Sequence, residues 1–203
     1  MVDNVVVYLV DDDEEVRRAL AFLLGTAGLA VRVYDSANAL LEKLDTTQFG
    51  CIVSDVRMPG IDGIQLLREL KSRGVTLPVI VMTGHADVAL AVGAMKAGAV
   101  DFIEKPFSDD VLLDAISAAM ANFGNTAGNA SEASLVRSRI ATLSDREKEV
   151  LEGLLAGNPN KTIAYDLGIS PRTVEVHRAS VMKKMCAASL SQLVRMALLA
   201  PTS

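Results

Sequence analysis

Short apolar runs recur through the first 120 residues, at Val5 to Val10, Ala30 to Val33, Cys51 to Ser54, Pro78 to Met82 and Val100 to Ile103. Behind each comes a stretch whose apolar residues return every three or four positions: Val16, Leu20, Leu23 and Leu24; Leu40, Leu41 and Leu44; Ile64, Leu67 and Leu70; Val88, Val92 and Met95; Val111, Leu112, Ala115, Ile116 and Ala119. The short β-favouring runs predict strands buried on both faces, and the longer period predicts helices with one apolar stripe. Five strand–helix repeats therefore predict an α/β unit, a parallel sheet with helices on both sides.

The pattern lapses at "ANFGNTAGNASEAS", residues 121–134, where Gly, Asn, Ala and Ser replace any apolar period, so this stretch reads as a linker. A short amphipathic piece from Leu135 to Ile140 is expected to extend it as a helix. Ser144 and Glu147 then form a capping box ahead of Val150, Leu151, Leu154 and Leu155, which starts a helix that stops near Gly157. A second helix over about 160–167, a turn on Gly168 and a Ser170 cap with Pro171 at the first helical position complete helix–turn–helix punctuation. The expected organisation is an α/β domain over 1–121, a partly helical linker over 122–139 and an all-α domain over 140–203.

Winding Pro171 to Met185 at about 100° per residue gathers Val174, Val181 and Met185 on one side. Arg172, Val176, Ala179 and Lys183 fall on the opposite side, with Glu175 at the edge. An outward face of two cations and two small apolar residues suits a DNA major groove, where Arg or Lys reaches guanine or phosphate and apolar groups meet a thymine methyl.

Charge sharpens this division. Residues 1–134 hold ten Lys/Arg against 19 Asp/Glu, a net of −9, whereas residues 135–203 hold ten against six, a net of +4. An acidic module joined to a mildly basic one is compatible with nucleic-acid binding by the second. No apolar run approaches the roughly 18–20 residues of a membrane span, and no basic region precedes the first run, so a soluble, cytoplasmic protein is expected. Cys51 and Cys186 have no metal-type spacing, and neither His85 nor His177 has a partner at i+3 or i+4. Neither a disulfide nor a histidine metal site is expected.

The candidate chemistry lies at the strand tips. In an open parallel sheet of flavodoxin-like order 2-1-3-4-5, ligands bind beyond the carboxyl ends of the strands, where the winding reverses between strands 1 and 3. Strand 1 ends at Asp11 and Asp12 and strand 3 at Asp55, so three carboxylates would converge and would call for a hard cation, best Mg2+. Asp13 to Glu15 are instead expected to cap the first helix. Thr83 ends strand 4 and Lys105 ends strand 5. Each alone reads as an ordinary turn or surface residue, but together they add a hydroxyl and an ammonium to an acidic rim, a set suited to phosphoryl transfer.

The stretches "LVDDD" (9–13), "SDVRMPGIDG" (54–63), "MTGHAD" (82–87) and "AGAVDFIEKPF" (97–107) resemble the receiver domain of bacterial two-component response regulators. The resemblance implies that Asp55 is the phosphoacceptor and that Asp11, Asp12, Asp55 and the backbone carbonyl of Arg57 bind Mg2+. It further implies that Thr83 and Lys105 contact phosphoryl oxygens, that Phe102 is the aromatic switch residue and that Lys105–Pro106 is cis. A haloacid-dehalogenase-type phosphatase would place an acid two residues after its nucleophile, where this chain has Arg57. An acyl phosphate on Asp55 is therefore expected to persist as a signal, in a phosphoacceptor rather than a turnover enzyme.

The stretch "LSDREKEVL…N…TIAYDLGISPRTVEVHRASVMKKM" resembles the LuxR/NarL-type helix–turn–helix, and the two halves together resemble the FixJ branch of these transcription factors. That implies DNA contact by Arg172, Thr173, Glu175, Val176, Ala179 and Lys183, and pairing of DNA-binding domains by a last helix carrying Leu190, Leu193, Val194 and Ala197. It also implies a sensor histidine kinase, promoter DNA, RNA polymerase and, after phosphorylation, a second copy of the chain as partners. A protein-binding output domain is the alternative reading of the second half.

Overall fold

All five apolar runs are strands in the computed structural model, which describes residues 5–44, 49–84, 88–123 and 129–199. The strands and helices alternate as β1 (Val6–Val10), α1 (Glu14–Thr26), β2 (Ala30–Tyr34), α2 (Ala37–Lys43), β3 (Gly50–Asp55), α3 (Gly63–Ser72), β4 (Val79–Thr83), α4 (Val88–Ala97), β5 (Asp101–Glu104) and α5 (Asp109–Asn122). Five helices follow: α6 (Asn129–Ala141), α7 (Asp145–Leu155), α8 (Asn160–Leu167), α9 (Pro171–Met185) and α10 (Leu190–Leu199). His85 and residues 124–128 of the expected linker lie outside the described residues. Two compact units divide the chain, 1–86 with 97–124 and 87–96 with 125–203.

The sheet is parallel throughout, in the expected order β2-β1-β3-β4-β5. Every residue of β3 and β4 is buried, as continuous apolar strands require. Alternation along the strands sends Val7, Leu9, Cys51, Val53, Ile80, Met82 and Ile103 into one core with Leu20 and Leu24 of α1 and Leu112, Ala115, Ile116 and Ala119 of α5. Each such fully buried aliphatic side chain stabilises the fold by about 1.5–3 kcal/mol. On the opposite side, Leu40 of α2 and Leu66, Leu67 and Leu70 of α3 are buried.

One member of the expected fifth stripe departs from it. Val111 is exposed, because it sits about 100° from its neighbour Leu112 and so falls off the face that Leu112, Ala115, Ile116 and Ala119 share. Helix starts follow side-chain chemistry: Asp13 caps α1 by accepting from the Glu15 and Val16 amides, and Asp62 with Gln65 forms a capping box on α3. Asp13 thus caps its helix as expected.

In the second unit, the Ser144–Glu147 capping box, the left-handed Gly168 after α8 and the Ser170 cap with Pro171 are all present. Val150, Leu151 and Leu154 of α7, Ile163 and Ala164 of α8 and Val174, Val181 and Met185 of α9 share one core. Helix α6 contributes Val136 and Ile140 to that core, beside Leu193 and Met196 of α10. The amphipathic piece after the linker stretch is therefore a packed helix.

Candidate functional site

At the carboxyl edge of the sheet, side chains from the tips of β1, β3 and β5 meet, the one from β5 reaching across β4. The strand registers bring Val10 beside Ser54 and Asp55 beside Met82, so Asp11 and Asp55 emerge from adjacent strands at nearly the same height. Asp11 is 2% and Asp55 7% exposed, although both are acids. Burial of unpaired carboxylates is costly, and here the compensation comes from Lys105. Its Nζ donates to Asp11 Oδ2 at 2.7 Å and to Asp55 Oδ1 at 2.7 Å, and the peptide bond that follows, Lys105–Pro106, is cis.

The remaining oxygens are also used. Asp55 Oδ2 accepts from the Arg57 amide at 2.6 Å, and Asp11 Oδ1 accepts from the Asp13 amide at 3.0 Å. Burial pushes the Asp55 carboxyl above its ordinary value, and the charge of Asp11 adds to the rise. Hydrogen bonding and charge from Lys105 and the Arg57 amide only partly oppose it. For Lys105, burial alone would lower the ammonium, but its bonds to Asp11 and Asp55 outweigh burial and hold it above the ordinary lysine value.

Asp12 is exposed beside this pair, and Phe102 is half-buried on β5. Thr83 is fully buried at the end of β4, and its Oγ1 has no hydrogen-bond partner among the described residues. An orphaned buried hydroxyl costs about 1–3 kcal/mol, and an acceptor arriving at the crevice would relieve that cost. Among the described residues no three His, Cys, Asp or Glu side chains form a ready metal cage. Lys105 itself supplies the positive charge between Asp11 and Asp55, so a hard cation would have to share or displace it. The donor set suits Mg2+: carboxylate oxygens already converging on one cation, with a third carboxylate exposed alongside.

Two contacts at this edge have no signal in the sequence pattern. Arg17 Nη1 donates to the Asp11 carbonyl oxygen at 2.7 Å and ties α1 to the tip of β1. Arg57 was expected to act through its carbonyl, and in the structure its amide holds the Asp55 carboxylate. Gly63, at the start of α3, lies so near that a Cβ there would collide with the Asp55 carbonyl oxygen.

In the second unit, Arg172, Glu175, Val176, Ala179 and Lys183 of α9 are exposed, and Val176 at 63% is unusually open for an apolar residue. Thr173 is set apart from them: it is half-buried, and its hydroxyl shares a 2.8 Å hydrogen bond with Ser170 Oγ at the cap. On α10, which packs against α6, Leu193, Val194 and Ala197 are buried, Leu190 is half-buried and Leu198 is exposed.

Glu147 does more than cap α7. It is 5% exposed, its Oε1 accepts from Ser180 Oγ at 2.6 Å, and its Oε2 accepts from Lys184 Nζ and from the Ser144 amide, both at 2.7 Å. The Lys184 bond above all, then Ser180 and the Ser144 amide, hold its carboxyl down at about 2. Its partners lie 33 and 37 residues away, beyond the reach of any local pattern.

Comparison with known proteins finds two families along the chain. Residues 7–117 match the response regulator receiver domain, and residues 141–197 match the bacterial regulatory proteins of the luxR family. The chain is 56% identical over 200 residues to "Transcriptional regulatory protein FixJ" of Azorhizobium caulinodans, covering 98% of this chain and 95% of the relative. It is 53% identical over 192 residues to the protein of the same name in Rhizobium meliloti, covering 95% and 94%. The crystal structure of full-length FixJ from B. japonicum is similar at 50% identity and a TM-score of 0.58, with 98% of both chains covered.

Proposed function

Since the chain belongs to the response regulators that join a receiver domain to a LuxR-type DNA-binding domain, we propose that Asp55 accepts a phosphoryl group from a sensor histidine kinase and that α9 then carries promoter recognition. The observation that carries this reading is the Asp55 carboxylate at the tip of β3, with Lys105 on one oxygen and the Arg57 amide on the other. In the transfer, an Asp55 oxygen forms a bond to phosphorus as the donor's N–P bond breaks, and the imidazole leaves with that electron pair. Asp11, Asp12, Asp55 and the Arg57 carbonyl would hold Mg2+, which would neutralise charge on the phosphoryl oxygens.

The protein's own groups prepare and read the event. Lys105 places an ammonium where oxygens of the transferred group arrive, and Thr83 offers them a buried hydroxyl that has no partner among the described residues. Movement of Thr83 toward those oxygens lets Phe102 turn inward, which repacks the surface of α4, β5 and α5 and favours pairing of two receivers. Two DNA-binding domains, each presenting Arg172, Glu175, Val176, Ala179 and Lys183 with Thr173 at the cap, then address half-sites about one helical turn apart. In this assignment 1–121 is the receiver, 122–139 the connection and 140–203 the output domain. The protein works in the cytoplasm as a signalling phosphoacceptor, with RNA polymerase as a downstream partner; among the described residues no helix is long and apolar enough to cross a membrane.

Labelling with a radioactive small phosphodonor tests the centre of this scheme. The wild-type chain should take up label in the presence of Mg2+ and Asp55→Asn should take up none; undiminished labelling of Asp55→Asn removes Asp55 from its role. A mobility-shift titration before and after phosphorylation tests the output. Failure to bind any duplex at low salt in either state would favour a protein-binding output domain.

A further inference from the structure

A capping box needs one Glu147 oxygen on one backbone amide, yet Glu147 spends both oxygens on three donors from two elements. Two of those donors, Ser180 and Lys184, are four residues apart on α9 and so lie on one stripe of that helix. They directly follow Ala179 and Lys183, which places their stripe about 100° round from the exposed face. The apolar contacts of Val174, Val181 and Met185 hold α9 against the core, but such burial is non-directional and tolerates a small roll about the helix axis. Charge-assisted hydrogen bonds do not. Around the end of the helix, Arg139 Nη1 donates to the Met185 carbonyl at 3.0 Å, and Lys184 Nζ makes a longer second contact with the Thr142 carbonyl at 3.4 Å.

We propose that Glu147 is a positioning residue for DNA readout: by gripping Ser180 and Lys184 it sets the roll of α9 and withholds the Lys184 ammonium from the phosphate backbone. The inference rests on the reading that α9 enters the groove. Its physical content is selective. A lysine free to reach phosphate adds affinity that is blind to sequence, whereas discrimination depends on base-edge contacts made at a fixed register. Pairing Lys184 with a buried carboxylate removes one such indiscriminate contact and, through Ser180, orients Arg172, Val176, Ala179 and Lys183 at the same time. Glu147 itself touches no DNA.

The test uses the full chain and two probes, a random-sequence duplex and a duplex enriched from a random pool by the wild-type protein, each titrated across a range of salt. In Glu147→Gln the slope of log affinity against log salt on the random duplex should steepen by about 0.9, the signature of one added phosphate contact. The preference for the enriched duplex should fall about tenfold, comparable to spoiling one base pair. Adding Lys184→Gln should remove the extra slope. Ser144→Ala loses the cap hydroxyl but keeps the Glu147 grip, so it should weaken α7 and leave the slope at the wild-type value, which separates positioning from stability.

Should Glu147→Gln fail to fold, Lys184→Gln alone decides: a wild-type slope supports the proposal, and a slope shallower by about 0.9 overturns it, because Lys184 would already be touching phosphate. An unchanged slope and preference in folded Glu147→Gln also overturns it. If the wild-type chain binds neither duplex at low salt, the DNA-binding reading fails and takes this inference with it, a result distinct from binding that ignores Glu147.

Discussion

At the scale of single residues, the receiver crevice is a balance of two buried acids against one base. Lys105→Met leaves Asp11 and Asp55 facing each other without a cation, and removing one partner of a buried charge cluster typically costs about 3–5 kcal/mol. Thermal unfolding should register that loss, and Lys105→Met/Asp55→Asn should recover part of it, since one of the stranded charges is then gone. Strict additivity in the double variant would mean that the three side chains are not coupled. Glu147 makes a prediction in pH. Its carboxyl lies at about 2 in the folded chain against an ordinary 4.5, so the folded state binds the proton less tightly than the unfolded state. The stability it contributes is complete above about pH 4.5 and disappears as pH falls toward 2. The acid limb of stability in that window should be shallower in Glu147→Gln than in the wild-type chain; identical limbs would contradict the assignment. That Asp11, Asp55 and Lys105 share one rim of the sheet was legible in the chain, but the direct bonds of Lys105 to both acids and the Glu147 grip were not.

At the scale of elements, period and punctuation are legible in the chain because both are local. An S-x-x-E box, a glycine after α8 and a Ser–Pro start for α9 each act within a few residues, and each holds in the structure; burial on both faces holds for β3 and β4, whereas β2 and β5, at the two edges of the sheet, leave Val33 and Glu104 exposed. Val111 of α5 is apolar yet exposed, because the angle at which a side chain leaves the helix, and not its apolar character alone, decides whether it joins the buried stripe. A tighter element constraint lies at Gly63, where α3 begins against the Asp55 loop. In Gly63→Ala the new methyl meets backbone rather than a movable side chain, so the turn that carries Asp55 must shift. We expect a loss of about 2 kcal/mol in stability together with slower labelling by a phosphodonor. Wild-type values of both would show that the turn accommodates a methyl group.

For the whole molecule, an acidic α/β half carries the crevice of Asp11, Asp55 and Lys105 and a basic helical half carries the exposed face of α9. If phosphorylation is to change DNA occupancy, the phosphoryl group must interact differently with two packings of the receiver, since a ligand that favours neither shifts nothing. Light scattering of the full chain should report a move from monomer toward dimer on treatment with phosphodonor and Mg2+, absent in Asp55→Asn. A dimer that forms equally without the phosphodonor would break the proposed link. If DNA-binding domains pair through α10, side chains other than Leu193, Val194 and Ala197 must make the contact, because those three are already buried. Only at this scale do two kinds of helix part company, since the same amphipathic signal marks a helix that seeks another chain and one that is covered by its own.

The order of elements, the parallel sheet, the caps and the residue types at each strand tip were determined by the sequence itself, since periodicity, turn chemistry and helix starts depend on neighbours within a turn or two. Which atoms meet was decided only by the tertiary structure. Lys105 reaches Asp11 across 94 residues and Asp55 across 50, Glu147 reaches Lys184 across 37, and α6 folds onto α10. Those contacts exist because closing the chain buries apolar faces first, and burial then obliges each enclosed charge to find a partner wherever the fold has brought one.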